Sequence, residues 1–120
     1  MARQLVVKVT CGIEEPERCN QGFTVAATAA ASGMPVSLWL TGEAAWLAVP
    51  GRAAELQLPL AAPLADLLEA VLTLGTVTVC AQCAARRSLG EADLVPGARI
   101  AGAPVFVEEV LGDGVQALVY

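Results

Sequence analysis

A chain of 120 residues is long enough for one domain spanning residues 1–120 with its own core, without disulfide or metal staples. It is 56% hydrophobic, mostly alanine, leucine and valine, with only 16% charged residues, so it is expected to bury more than its own core and to form a homo-oligomer through alanine-lined contacts. There is no histidine and the net charge is −5, which excludes histidine triads and imidazole metal sites and argues against nucleic acid as a partner.

Residues 4–10, QLVVKVT, are rich in β-branched side chains and read as a strand covered on both faces, interrupted by Lys8. Cys11-Gly12 ends it. Acidic residues around Pro16 mark a helix start, and Gly33 before Pro35 marks its end, giving a helix over about 16–32. Its alanine-rich half, Val25 to Ala31, is apolar all round and suggests a helix covered on two sides. Residues 36–40 read as a second strand, followed by a short helix over about 43–48. Residues 49–60 form a loop in which Glu55-Leu56-Gln57-Leu58 alternates like a short edge strand. Residues 63–74 are a helix with Leu64, Leu67, Leu68, Val71 and Leu72 on one face. Residues 76–79 give a third strand, and Cys80 to Arg87 a helix. A loop at 93–97, a short strand at 99–101, a helix at 104–111 and a strand at 115–119 complete the chain. Glu14, Glu15, Glu17, Glu108 and Glu109 read as helix-end and surface acids.

This alternation predicts an α/β protein with a mostly parallel sheet of about five strands. The uncharged stretch from Cys19 to Gly42 is long enough to span a bilayer, but Gly33-Met34-Pro35 breaks it into helix, turn and strand. No signal peptide is recognisable, so a cytoplasmic protein with no membrane partner is expected, its four cysteines kept as thiols.

In a parallel sheet, chemistry gathers at the carboxyl ends of the strands. Cys11 and Cys80 fall at two such ends, on one edge, and Cys83 lies one helical turn beyond Cys80. Cys19 reads as core. Cys80 stands at a helix N-cap, where backbone N–H groups and the helix dipole favour a thiolate. Arg86 and Arg87 add positive charge on the same helix. Cys-x-x-Cys also fits a dithiol redox pair, or half of a zinc site completed by Cys11 and Cys19, although the C-x7-C spacing of that second pair is unusual for zinc. No metal or other cofactor is expected.

VVKVTCG, PVSLWL with TGEAAW, PLADLLEAVL and above all VTVCAQCAARR together resemble the DsrE/DsrF-like (YchN/TusD-like) family of small sulfur-carrier proteins. The resemblance implies a three-layer α/β/α domain with a five-stranded parallel sheet, assembled as a trimer or hexamer. It also implies that Cys80 accepts sulfane sulfur as a persulfide and hands it to a partner thiol. Donor and acceptor proteins, or small sulfane-sulfur compounds, would then be the partners. From spacing alone, and apart from the resemblance, Cys83 or Cys11 would act as resolving thiols, and the charges of Arg86 and Arg87 would bind the donor. A non-catalytic oligomeric binding protein on the same fold is the rival expectation. The family pattern commonly has glycine after the paired arginines; here it is Ser88.

Overall fold

The computed structural model describes residues 3–120. Its strands are β1 (Gln4–Val9), β2 (Val36–Leu40), β3 (Thr76–Cys80), β4 (Ala98–Ala101) and β5 (Val115–Val119). Its helices are α1 (Pro16–Ala31), α2 (Leu64–Leu74), α3 (Ala81–Arg86) and α4 (Ala103–Val110). The strands lie in the order β4-β3-β2-β1-β5, and every pairing is parallel. The α/β fold read from the sequence is present, with the sheet wholly rather than mostly parallel. No helix among the described residues is long and apolar enough to cross a membrane.

Side chains alternate between the two faces of each strand. Val7, Val9, Leu38, Leu40, Val77 and Val79 form the main core with Phe23, Ala26 and Ala30 of α1 and Leu64, Leu68 and Val71 of α2. Leu67 and Leu72, placed on the same face of α2 by their spacing, pack against that core while only partly buried. The opposite face carries a more polar row. Lys8, Trp39, Thr78 and Arg99 stand next to one another in register across β1, β2, β3 and β4. Helix α4 crosses this row, with the Phe106 ring edge-on to Trp39 at 5.3 Å between centroids.

Four local expectations change. Helix α1 is covered on one flank only: Ala26, Ala27 and Ala30 are buried, whereas Thr24, Thr28 and Ala31 face solvent. The short helix after β2 is a 3₁₀ helix, Gly42–Ala48. The alternating residues 55–58 do not join the sheet, whose two edges are β4 and β5. Instead Ala53–Glu55 makes a 3₁₀ turn, Leu56 anchors the segment in the core, and Leu60 turns the chain at φ 62°. Glu109 is no surface acid. One carboxylate oxygen accepts from Ser37 Oγ at 2.6 Å and Trp39 Nε1 at 3.1 Å, and the other from Arg99 Nη2 at 2.7 Å. Arg99 in turn donates to Thr78 Oγ1 at 2.7 Å. Ser37, Trp39 and Thr78 are almost fully buried, so their polar atoms need these partners, and the amphipathic spacing of α4 delivers Glu109 to them.

Candidate functional site

Three crossovers meet at the carboxyl edge: residues 10–15 after β1, 41–43 after β2, and 80–83 after β3. The first two pack backbone against backbone at Gly12 and Gly42. A Cβ on Gly12 would sit 2.8 Å from the Glu43 carbonyl oxygen, and one on Gly42, at φ 56°, would sit 2.7 Å from the Thr10 carbonyl oxygen. Glycine is required at both places, for space at the first and for space and conformation at the second. This close seating brings the Gly42 N–H to 3.2 Å from Cys83 Sγ.

Cys80 is the N-cap of α3, as its position after the third strand suggested. It is partly exposed, while Cys11, Cys19 and Cys83 are buried. Burial is the largest single influence on the Cys80 thiol and opposes its ionisation. The backbone N–H groups of Cys83 and Gln82, the Cys83 thiol and the charge of Lys8 act the other way, and together they hold the Cys80 pKa below the ordinary thiol value. The N–H groups approach the sulfur without completing a capping hydrogen bond. Helix α3 is only six residues long, so individual N–H groups, more than a long helix dipole, favour the anion here.

The other cysteines differ in kind. Cys83 is 8% exposed; it receives the Gly42 N–H and turns its own thiol toward Cys80. Cys11 lies at the same sheet edge but is only 3% exposed, and its thiol reaches the Glu15 carbonyl at 3.9 Å. Burial, then Glu14, push the Cys11 pKa up, against a lowering by Arg18. Cys19 is fully buried, and burial pushes its pKa up to about 12, with Cys11 and Glu14 adding to the effect. The four thiols thus form two neighbourhoods, Cys80 with Cys83 and Cys11 with Cys19. Among the described residues no three Cys, Asp or Glu side chains are arranged to hold a metal ion.

Arg87 donates to the Glu43 carboxylate at 2.7 Å and to the Cys83 carbonyl at 3.1 Å, bracing α3 against the segment after β2. Arg86 is exposed on α3. Ser88 takes the left-handed conformation at φ 56°, a region that favours glycine, so a side chain at this point costs roughly 1–2 kcal/mol. Grooves of about 370 and 380 Å³ lie beside α2, lined by residues such as Leu47, Leu68 and Val95 in one and Leu56, Leu58 and Pro63 in the other; neither touches a cysteine. Two groups near Cys80 escaped the reading of the sequence as a site, the Gly42 N–H and Lys8. The only signal for Lys8 was a charge set in the middle of an apolar strand.

The chain matches the DsrE/DsrF-like family over residues 4–118. No curated protein matches it. Among solved structures, the YchN protein from E. coli superposes with a TM-score of 0.81 at 16% identity, over 98% of this chain and 99% of that one. MTH1491 from Methanobacterium thermoautotrophicum, a protein of unknown function, superposes with a TM-score of 0.73 at 8% identity, over the same shares of the two chains. At these identities the likeness is one of fold, and it agrees with the parallel five-stranded sheet. The family match spans nearly all of the described residues and includes the strand, cysteine pair and arginines around Cys80: the chain belongs to the DsrE/DsrF-like family.

Proposed function

We propose that this chain is a small sulfur-carrier or sulfurtransferase-like protein that loads sulfane sulfur on Cys80. The observation that carries this reading is the contrast among the four thiols. Cys80 alone combines exposure with surroundings that favour the anion, while Cys11 and Cys19 are buried with raised pKa values. The thiolate is the nucleophilic form of a cysteine, and N–H groups directed at Cys80 from the start of α3 favour that form. It attacks the outer sulfur of a donor, forming Cys80–S–S⁻, and the donor leaves with the electron pair of the broken S–S bond. The thiolate of a partner then takes the outer sulfur and restores Cys80. The family match supports a sulfur-relay role of this kind.

The test is mass spectrometry of the reduced protein after exposure to polysulfide, followed by peptide mapping. One added sulfur on the Cys80 peptide, reversed by reductant and lost in Cys80→Ser, is the expected result. Loading that persists in Cys80→Ser would end this reading.

One observation favours a second reading. The Cys83 thiol faces Cys80 from one turn away, as a dithiol redox pair requires. Attack by Cys83 on the inner sulfur of a Cys80 persulfide would release hydrosulfide and leave a Cys80–Cys83 disulfide. Loss of two hydrogens across these residues in place of the added sulfur would favour it. Self-association belongs to the same proposal. Val107 and Leu111 of and beside α4, and Leu118 and Val119 of β5, expose apolar side chains that copies of the chain would cover.

A further inference from the structure

Lys8 is an anomaly in its strand. Its neighbours Val6, Val7 and Val9 are completely buried, and an ammonium group in such a run costs stability unless something on that face uses it. Its direction is fixed by register. Lys8, Trp39 and Thr78 are successive partners across β1, β2 and β3, so they point to the α4 face. Cys80 follows Thr78 by two residues on β3 and therefore points to the same face, one step closer to the carboxyl edge. The Lys8 ammonium lies over the Phe106 ring, 4.7 Å from its centroid, and that ring is pinned against Trp39. The side chain is thus held on this face and does not stretch into solvent.

The charges around it cancel in pairs. Arg99 is bound to Glu109 at 2.7 Å and Arg87 to Glu43 at 2.7 Å. Lys8 takes part in none of the ion pairs among the described residues. It is the cation left over on the face of the sheet that Cys80 shares, and its field reaches the Cys80 sulfur.

We propose that Lys8 is the cation that serves Cys80, pairing with anionic sulfur there and drawing anionic sulfane-sulfur donors, such as thiosulfate or hydropolysulfide, to the thiolate. This rests on the carrier reading above and adds the charge class of its donor. A thiolate and an anionic donor repel each other, and a fixed ammonium offsets that repulsion both on approach and when the persulfide anion forms. With thiosulfate, the Cys80 thiolate attacks the outer sulfur. The S–S bond of the donor breaks and its electron pair leaves on sulfite. The negative charge ends on the outer sulfur of Cys80–S–S⁻. Lys8 keeps its proton throughout and acts by charge alone.

The experiment compares alkylation of Cys80 by iodoacetate, an anion, and iodoacetamide, its neutral counterpart, followed on the Cys80 peptide by mass spectrometry. A change in packing or thiol ionisation alters both rates together; loss of the cation alters their ratio. In Lys8→Met, which keeps the length of the stem, the iodoacetate-to-iodoacetamide ratio is expected to fall about fivefold, the size of one charge acting across a partly screened gap. Lys8→Gln should fall likewise and Lys8→Arg should restore the ratio. A ratio unchanged in Met and Gln, or lost equally in Arg, would overturn the proposal. Neither result depends on persulfide chemistry. If Cys80 takes no sulfur while the ratio still follows the charge, the carrier reading fails and the cation site stands.

Discussion

Among single residues, the four cysteines show how one chemical group is set to opposite tasks by its surroundings. Cys19 has no exposure and no donor that favours its anion; its thiol is held neutral, with a pKa of about 12. The folded value therefore lies above the unfolded one. Cys19 contributes its full stability below about pH 9, and that contribution is lost as the pH rises toward 12, because the unfolded chain then releases a proton that the folded one retains. Cys19→Ala is expected to flatten the alkaline fall in stability, read as urea midpoints on either side of pH 9. An unchanged alkaline slope in the variant would contradict the assignment. Cys80 reverses the case, since N–H groups and a lysine outweigh its burial. The sequence separated these two by position alone, with Cys19 inside a helix and Cys80 between a strand and a helix. It gave less notice of Cys11, which lies at the predicted edge yet is buried there.

For the elements, what decided legibility was whether periodicity or a distant contact set the outcome. The five strands and four α-helices follow from apolar runs and from helix punctuation by proline and glycine, so their positions agree within a residue or two. The alternation at 55–58 misled because a period of two also arises wherever a loop turns every second side chain inward: Leu56 is buried and Leu58 half-buried while Glu55 and Gln57 face solvent, with no strand formed. Glu109 misled for another reason. Nothing within α4 reveals that the residue meets Ser37 and Trp39, some seventy positions earlier in the chain. Its carboxylate fastens α4 to the sheet. Glu109→Ala would leave the Ser37 hydroxyl and the Trp39 indole N–H unpartnered in a buried layer, at a cost of about 2–4 kcal/mol. Most of this comes from those two groups and little from the half-exposed Arg99, whose ion pair is screened. Urea unfolding would show the loss. Glu109→Gln, which keeps an acceptor, should recover part of it, and a Glu109→Ala variant as stable as the parent would refute the role.

In the molecule as a whole, the two faces of the sheet are covered unequally. Helices α1 and α2 close one face over the main core, whereas the other holds α4, none of whose residues is buried. A parallel sheet is ordinarily shielded on both faces. Strand β5 is exposed from Gln116 to Val119. Association through α4 and β5 is therefore expected, and light scattering should give a mass several times that of one chain. Leu111→Asp with Val119→Asp should lower that mass to the single chain; a monomeric parent protein would remove the expectation.

The strand order also bears on how the chain is made. β1 is the first strand to be synthesised, yet β5, which supplies its second flank, comes last, pairing Gln4 with Val115 and Lys8 with Val119. With every pairing among the described residues parallel, each strand must wait for a partner beyond an intervening crossover. A nascent chain on the ribosome thus carries β1 with one edge unsatisfied until residues 115–119 emerge. During that interval, the strand that bears Lys8 is the one most open to pairing with the wrong neighbour.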